Sequence, residues 1–402
     1  MRPFENIRVV DFTQVIAGPY ATYQLAALGA DVIKIEQRGA GDQGRKMLAP
    51  TAESLQAGMS ALFTAVNCGK RSLTLDLKHP DALAIVAGLV RNADVVVENF
   101  KAGTLERLGL DPDVLMGFNP KLVLCRISGF GQTGPRSSSG AYDPVIQAIS
   151  GMMSVTGTEQ TGPTKTGFWV ADMATGMNAA FAISAALYRR SQTDQGEVID
   201  VSMLDTAVSL MSPLAGLFVN YGVEPPFTGN GVPGTGGSSS VYPTKTGFLT
   251  IAAATDAQFK KLMVTIGRAE LADEPRFATR LERHENSAEY RDIVVAGLSS
   301  DTAENWEKRL VAAGVPAGEN QRVSQLPDDE QLKHRQVFQA LPSPPIGLPG
   351  PFSAVAVGFK LQHDGPWVDL PPPSIGQHTD EVLGELGHDS AAIAALRDNR
   401  VV

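Results

Sequence analysis

The sequence predicts an α/β protein with two parts: a large domain on a mostly parallel sheet and a smaller α+β domain. Three observations carry this. Short apolar strands alternate with helical stretches through the first half. Glycine, proline and serine crowd between residues 222 and 240. A new alternation of strand and charged helix then restarts at Val241. Short apolar strands separated by helices imply βαβ units, hence a parallel sheet covered on both faces.

Residues 7–12 (Ile-Arg-Val-Val-Asp-Phe) read as a buried strand. Gly18-Pro19 breaks it, and 20–28 reads as a helix closed by Gly29. Strands follow at 31–36, 72–76, 94–98 and 122–127, with helices at 80–92 and 104–108 between them. A long alanine-rich helix is expected over 175–188, then a strand at 198–202 and a helix at 203–219. The Pro/Gly-rich stretch around Pro225, Gly229 and Gly234 reads as a linker and loop. Beyond it, a strand at 247–252 and helices at 256–266 and 302–313 make up the smaller domain. A second proline-rich crossing spans 342–351, and the tail ends with a helix at 379–387 and a final amphipathic turn at 391–397.

Composition excludes several functions. The chain has 402 residues, 43% hydrophobic and 19% charged, enough for a sizeable core. Its net charge of -9 argues against nucleic acid as a partner. Cys68 and Cys125 stand far apart in no CxxC pattern, so no metal site or disulfide framework is expected and a reducing, cytoplasmic setting is. No leader pattern and no uninterrupted apolar run of membrane length is read, so no membrane is expected as a partner. The GxGxxG fingerprint is absent after the first strand, which counts against nicotinamide or flavin.

The chemistry centres on Asp172, in Gly167-Phe-Trp-Val-Ala-Asp-Met173. Packed among Val170, Ala171 and Met173, its carboxylate would be poorly solvated and reactive. The competing reading is a helix N-cap, since Asp172 precedes a helical pattern. None of the six histidines lies near Asp172 in sequence, and the GxSxG elbow is missing. A serine or cysteine hydrolase is therefore disfavoured, and carboxylate chemistry without a histidine base is preferred. Arg38 ends the second strand beside glycines; Lys70-Arg71, Lys101 and Arg107 flank other strands of the same sheet. Together they read as a basic rim for a ligand with several phosphates. Phe168 and Trp169 either wall a pocket or pack in the core.

Val10-Asp-Phe12, Ala17-Gly-Pro19, Leu28-Gly-Ala-Asp-Val-Ile-Lys-Ile-Glu36, Lys70-Arg-Ser-Leu-Thr-Leu-Asp76, Val97-Glu-Asn-Phe100, Gly129-Phe-Gly-Gln-Thr-Gly-Pro135, Ala171-Asp-Met173, Ile199-Asp-Val-Ser-Met-Leu-Asp205 and Gly376-Gln-His-Thr-Asp-Glu-Val-Leu383 occur in this order. In these motifs the chain resembles the class III CoA-transferases (EC 2.8.3), a superfamily shared with α-methylacyl-CoA racemase. The resemblance implies a Rossmann-like large domain from both chain ends, 1–205 and 340–402. It further implies linkers at 206–227 and 326–339, a small domain at 228–325, and two subunits interlocked as a dimer. A pairing with a related chain stays open.

By the same resemblance Asp172 is the catalytic nucleophile, passing CoA through an aspartyl anhydride and an aspartyl-CoA thioester. Coenzyme A is substrate and product, and no metal is required. Gln14 and Val15 match the loop lining the active site, Asn99 and Phe100 the adenine end, and Tyr142 a tyrosine near the pantetheine arm. Leu73 falls in a CoA-binding motif, and Arg38, Arg71, Lys101 and Arg107 would meet the phosphates. Gly236 and Gly237 resemble a mobile flap. Arg45, in a glycine-rich loop, is a candidate partner for a second carboxylate, as in a succinyl donor. The racemase places a His-Asp pair where this chain has Tyr142-Asp143, so one member of a two-base mechanism is missing. A silent CoA-binding subunit is the third reading; the donor, the acceptor and an intramolecular transfer stay open.

Overall fold

The protein is described by a computed structural model covering residues 1–231, 239–345, 347–348 and 350–402. The chain divides into two compact units, one of 1–150, 166–212 and 330–402, the other of 151–165 and 213–329.

The larger unit carries a sheet of six strands: β1 (Arg8–Asp11), β2 (Asp31–Glu36), β3 (Lys70–Thr74), β4 (Val95–Glu98), β5 (Val123–Ser128) and β6 (Glu197–Ser202). Their order is β3-β2-β1-β4-β5-β6, and every pair is parallel. The order reverses between β1 and β4, and in such sheets a crevice opens at the carboxyl ends of the strands on either side of that reversal.

Side chains alternate faces along each strand. Val10, Ile33, Leu73, Val96 and Leu124 pack on one face under the helix α2 (Ala82–Arg91) and the C-terminal residues Val382, Leu383, Ile393, Val401 and Val402. Val9, Val32, Val95, Val97, Val123 and Cys125 pack on the other under α1 (Ala17–Ala27) and α4 (Val170–Thr193), where α3 denotes Asp143–Ile149. The chain's last segment is tied in by hydrogen bonds: the Ser72 N–H donates to His378 Nδ1 at 3.1 Å, and the Asp76 N–H to the Val401 carbonyl at 2.8 Å. With its 24 residues α4 is long and apolar enough to cross a membrane by length and composition alone. Here its apolar stripe, Ala179, Ile183, Ala186 and Leu187, is already buried in the sheet-facing core.

The smaller unit holds an antiparallel sheet of Ser239–Pro243, Phe248–Ala252 and Ala317–Glu319. Its core joins Leu249 and Ile251 to Phe259, Leu262, Val294, Leu298 and Trp306 from the helices beside it. It also takes in 151–165, which the family resemblance assigns to the large domain. The reason is local: the N–H groups of Thr228 and Gly229 donate to the carbonyls of Val155 and Gly157 at 3.1 and 2.7 Å. The stretch 206–227, read as a linker, contains most of α5 (Met203–Leu210) and all of the helix Ser212–Tyr221.

Candidate active site

The site is built where the β1 and β4 loops meet. Asn99, just past β4, clasps the β1 loop with both ends of its amide. Its Oδ1 accepts the Gln14 N–H and its Nδ2 donates to the Gln14 carbonyl, both at 2.8 Å. The next residue, Val15, has φ +70°. A β-branched residue rarely sits there, and such strain persists only where surroundings over-determine it. The Val15 N–H donates to Asp42 Oδ1 at 3.0 Å, and Asp42 is paired with Lys34 at 2.8 Å, both side chains fully buried. Lys34 also donates to the Thr13 carbonyl at 2.7 Å. Asp11 accepts from Thr13, Thr22 and Lys70 beneath the same loop. Burial pushes the Asp11 carboxyl up, but Lys70, Lys34 and the hydroxyl donors outweigh it and bring it to about 2.

Asp172 comes to this loop on α4. Gly176, one turn further on, lets the helix approach: a Cβ there would stand 2.6 Å from the Ala17 carbonyl oxygen. Gly176→Ala therefore forces α4 away from α1. The expected result is a loss of about 1–3 kcal/mol in urea unfolding, with reduced activity because Asp172 rides on the displaced turn.

Asp172 is the third residue of α4 rather than its cap; the N-cap position is Trp169. The cap reading is thus corrected, and with it the helix start, which lies at Val170 instead of 175. The N–H groups of this first turn are served from outside. Asp143 Oδ2 accepts from the Ala171 N–H at 2.7 Å and the Asp172 N–H at 3.2 Å. The Asp172 carboxylate has no hydrogen-bond partner among the described residues and is half-buried. Its carboxyl is pushed up to about 7, first by burial and then by the charge of Asp143.

Asp172, Gln14, Val15, Asn99, Phe100, Lys101 and Tyr142 line one cavity of about 360 Å³. Other candidates are elsewhere. Leu73 is fully buried in the core. Arg71 sits near the amino end of β3, away from the crevice, paired with Asp31, Glu381 and Glu385 at 2.7, 2.8 and 2.6 Å. Arg38 donates to the Val402 carbonyl at 2.9 Å. Arg107 holds Thr104 Oγ1 at 2.7 Å and borders a separate cavity. Arg45 is buried and gripped by Glu36 through two bonds of 2.7 and 2.6 Å, with its ring-facing side 3.7 Å from the centre of Phe63. It is therefore spent on structure and not aimed at a second carboxylate. Phe168 and Trp169 are exposed, 61% and 39%, which removes the core-packing reading. Gly236 and Gly237 lie outside the described residues. The basic rim thus contracts to Lys101 on the cavity wall.

Two wall or near-wall residues were missed. Ser128, at the end of β5, lines the cavity with a buried hydroxyl that has no partner among the described residues, a donor available to a ligand oxygen. Asp143 was passed over; its signal is Asp-Pro at a helix start, where an acid is favoured.

A strand order reversing at a crevice, with a carboxylate there that has no hydrogen-bond partner among the described residues, makes that group available for chemistry on a bound ligand. Comparison with known proteins gives the class. Residues 4–379 match the model of CoA-transferase family III, and the chain belongs to that family. It is 37% identical to a succinate–glutarate CoA-transferase of Agrobacterium fabrum over 96% of each chain. It is 34% identical to a formyl-CoA:oxalate CoA-transferase of Streptomyces avermitilis over the full length of both. Among solved structures, a CAIB/BAIF family protein from Brucella suis superposes with a TM-score of 0.85 at 31% identity, covering 96% of this chain and 99% of that one. The protein is accordingly a CoA-transferase acting on acyl-CoA thioesters and carboxylic acids.

Proposed function

We propose that Asp172 is the covalent nucleophile of this transfer, and that the donor is succinyl-CoA with a second dicarboxylic acid as acceptor. The observation carrying the first part is the Asp172 carboxylate itself, without a hydrogen-bond partner among the described residues, half-buried and pushed up to about 7 at the crevice. The substrate pair is supported by the succinate and glutarate named in the Agrobacterium relative.

The steps balance without a metal or a proton carrier. The Asp172 carboxylate attacks the thioester carbonyl; the C–S bond breaks, leaving a mixed anhydride and the CoA thiolate. The thiolate attacks the Asp172 carbonyl and expels the first acid as carboxylate, leaving an aspartyl thioester. The incoming carboxylate displaces the thiolate to form a second anhydride. The thiolate then takes the acceptor's acyl group, and Asp172 returns as carboxylate. A carboxylate is a weak nucleophile in water, so desolvation and alignment carry the rate. Lys101 and Ser128 line the same cavity, which supports assigning Lys101 to a CoA phosphate and the Ser128 hydroxyl to the thioester oxygen. An interlocked homodimer is supported by the exposed Met177, Phe181 and Tyr188 on α4, 56%, 73% and 72% accessible, apolar area that a second subunit would cover. The two cysteines are buried and unpaired, in keeping with a reducing cytosol.

The test is to incubate the protein with a panel of acyl-CoAs, quench with hydroxylamine or borohydride, and read the Asp172 peptide by mass spectrometry. A donor-dependent mass change at Asp172, greatest with succinyl-CoA, is expected. An unmodified Asp172 with every donor would refute the nucleophile assignment.

A further inference from the structure

Asp143 does more than end a helix. Its side chain is buried, 2% exposed, in a protein where it touches neither a cation nor solvent-facing charge partners among the described hydrogen bonds. Three N–H groups converge on it: Ala171 and Asp172 from α4 onto Oδ2, and Gln147 Nε2 onto Oδ1 at 2.5 Å. Gln147 is itself buried, and its Oε1 accepts the Thr166 N–H at 2.9 Å. So one carboxylate joins α3, the approach to α4 and the first turn that bears Asp172.

We propose that Asp143 is a positioning residue for the transfer, fixing the first turn of α4 from outside the helix with its own carboxylate held beside Asp172. This rests on the reading of Asp172 as the nucleophile. A helix N-terminus ordinarily favours an anion near its free N–H groups. Here Asp143 occupies the N–H groups of Ala171 and Asp172, so Asp172 stands beside that positive end with a second carboxylate already on it. Two neighbouring carboxylates push one of the pair up. A carboxylate of higher basicity attacks better once ionised, and it is ionised near neutral pH.

Other ionisable groups stand on the elements around α4. On the elements packed against α4 they are Tyr20 and Tyr23 of α1, Cys125 and Arg126 of β5, Glu197 and Asp200 of β6, and Asp205 of α5. Lys101 and Tyr142 stand on the cavity wall. Of all these, the charge that raises Asp172 is that of Asp143.

Asp143→Asn keeps the shape and an oxygen for the α4 N–H groups but removes the charge; Asp143→Ala removes both. Two readouts separate the roles. In the first, kcat/KM for CoA transfer is followed against pH. Asp143→Asn should move the acid limb down by about 0.5–1 pH unit. Asp143→Ala should lower kcat about 10- to 100-fold with little change in KM, because the nucleophile is misplaced while CoA is still bound. In the second, the Asp172 carboxyl is titrated by carbon-13 NMR, its resonance assigned by its loss in Asp172→Asn. Its midpoint should fall by the same amount in Asp143→Asn. This readout needs no turnover and no alanine variant. An unchanged midpoint in Asp143→Asn overturns the proposal even where Asp172 is trapped by acyl-CoA. A lowered midpoint with no trapping at Asp172 upholds Asp143's control of the carboxyl and overturns its role in transfer.

Discussion

Asp172→Asn should abolish CoA transfer, lowering kcat/KM by at least about 10⁴-fold, and should make the protein more stable as pH rises. The first effect follows from removing the only group the proposed steps use to form a bond; knock-outs of covalent nucleophiles fall in this range. The second follows from linkage. The carboxyl titrates near 3.8 in an unfolded chain and near 7 in the folded one. Between those values the folded state binds more protons, so wild-type stability falls as pH climbs from 3.8 to 7 and is level above. The amide titrates nowhere and escapes this loss. The variant's advantage should therefore widen between pH 5 and pH 8, by about 1–3 kcal/mol after allowing for the partial exposure of the side chain. Urea unfolding at the two pH values measures it. An advantage that shrinks with rising pH would mean that Asp172 is stabilised as an anion, contrary to its surroundings. Inactivity together with added stability marks a carboxylate held in place for chemistry at the expense of folding.

The sheet was legible because most of its strands carry short runs or alternations of Val, Ile and Leu, separated by helix-period segments. All six strands were read, each within a residue or two of its ends. The contribution of both chain ends came from resemblance to a family, and the hydrogen bonds of Ser72 and Asp76 with the C-terminal segment give its physical form. What failed was the use of charge. Arg71, Arg45 and Arg38 stand near strand ends in sequence, as a phosphate rim would. Sequence does not show that Arg71 runs to Glu381 and Glu385 more than 300 residues away, or that Arg45 closes on Glu36. A cation is free for a ligand only when no nearer anion takes it. Asp143 was lost for the same reason. Its partners on α4 lie 28 and 29 residues on, so its role toward Asp172 is a contact of the fold and not of the motif.

Lys34→Met should cost about 3–5 kcal/mol, because it strips the charge from a fully buried pair and leaves Asp42 as an uncompensated buried carboxylate. Burial alone would push Lys34 down, but Asp42, Asp11 and Glu36 around it prevail and hold it up. Removal therefore strands Asp42, while Asp11 keeps Lys70 and Glu36 keeps Arg45. The damage should reach the site by a defined route. Lys34 holds the Thr13 carbonyl and Asp42, and Asp42 holds the Val15 N–H. Without that grip, nothing compels Val15 to keep φ at +70°, and the Gln14–Val15 wall of the cavity relaxes. Hydrogen exchange at the Val15 amide should accelerate, and kcat/KM should fall even where the variant remains folded. Val15→Gly is the complement: glycine accepts positive φ without strain, so this change should be neutral or stabilising by up to about 1 kcal/mol. If Lys34→Met cost under about 1 kcal/mol, water would have to reach Asp42 on opening of the loop. If Val15→Gly destabilised instead, the valine side chain would be contributing more by packing than its backbone loses by strain. The two variants together therefore decide whether the conformation of the active-site wall is imposed by the buried ion pair or chosen by Val15 itself.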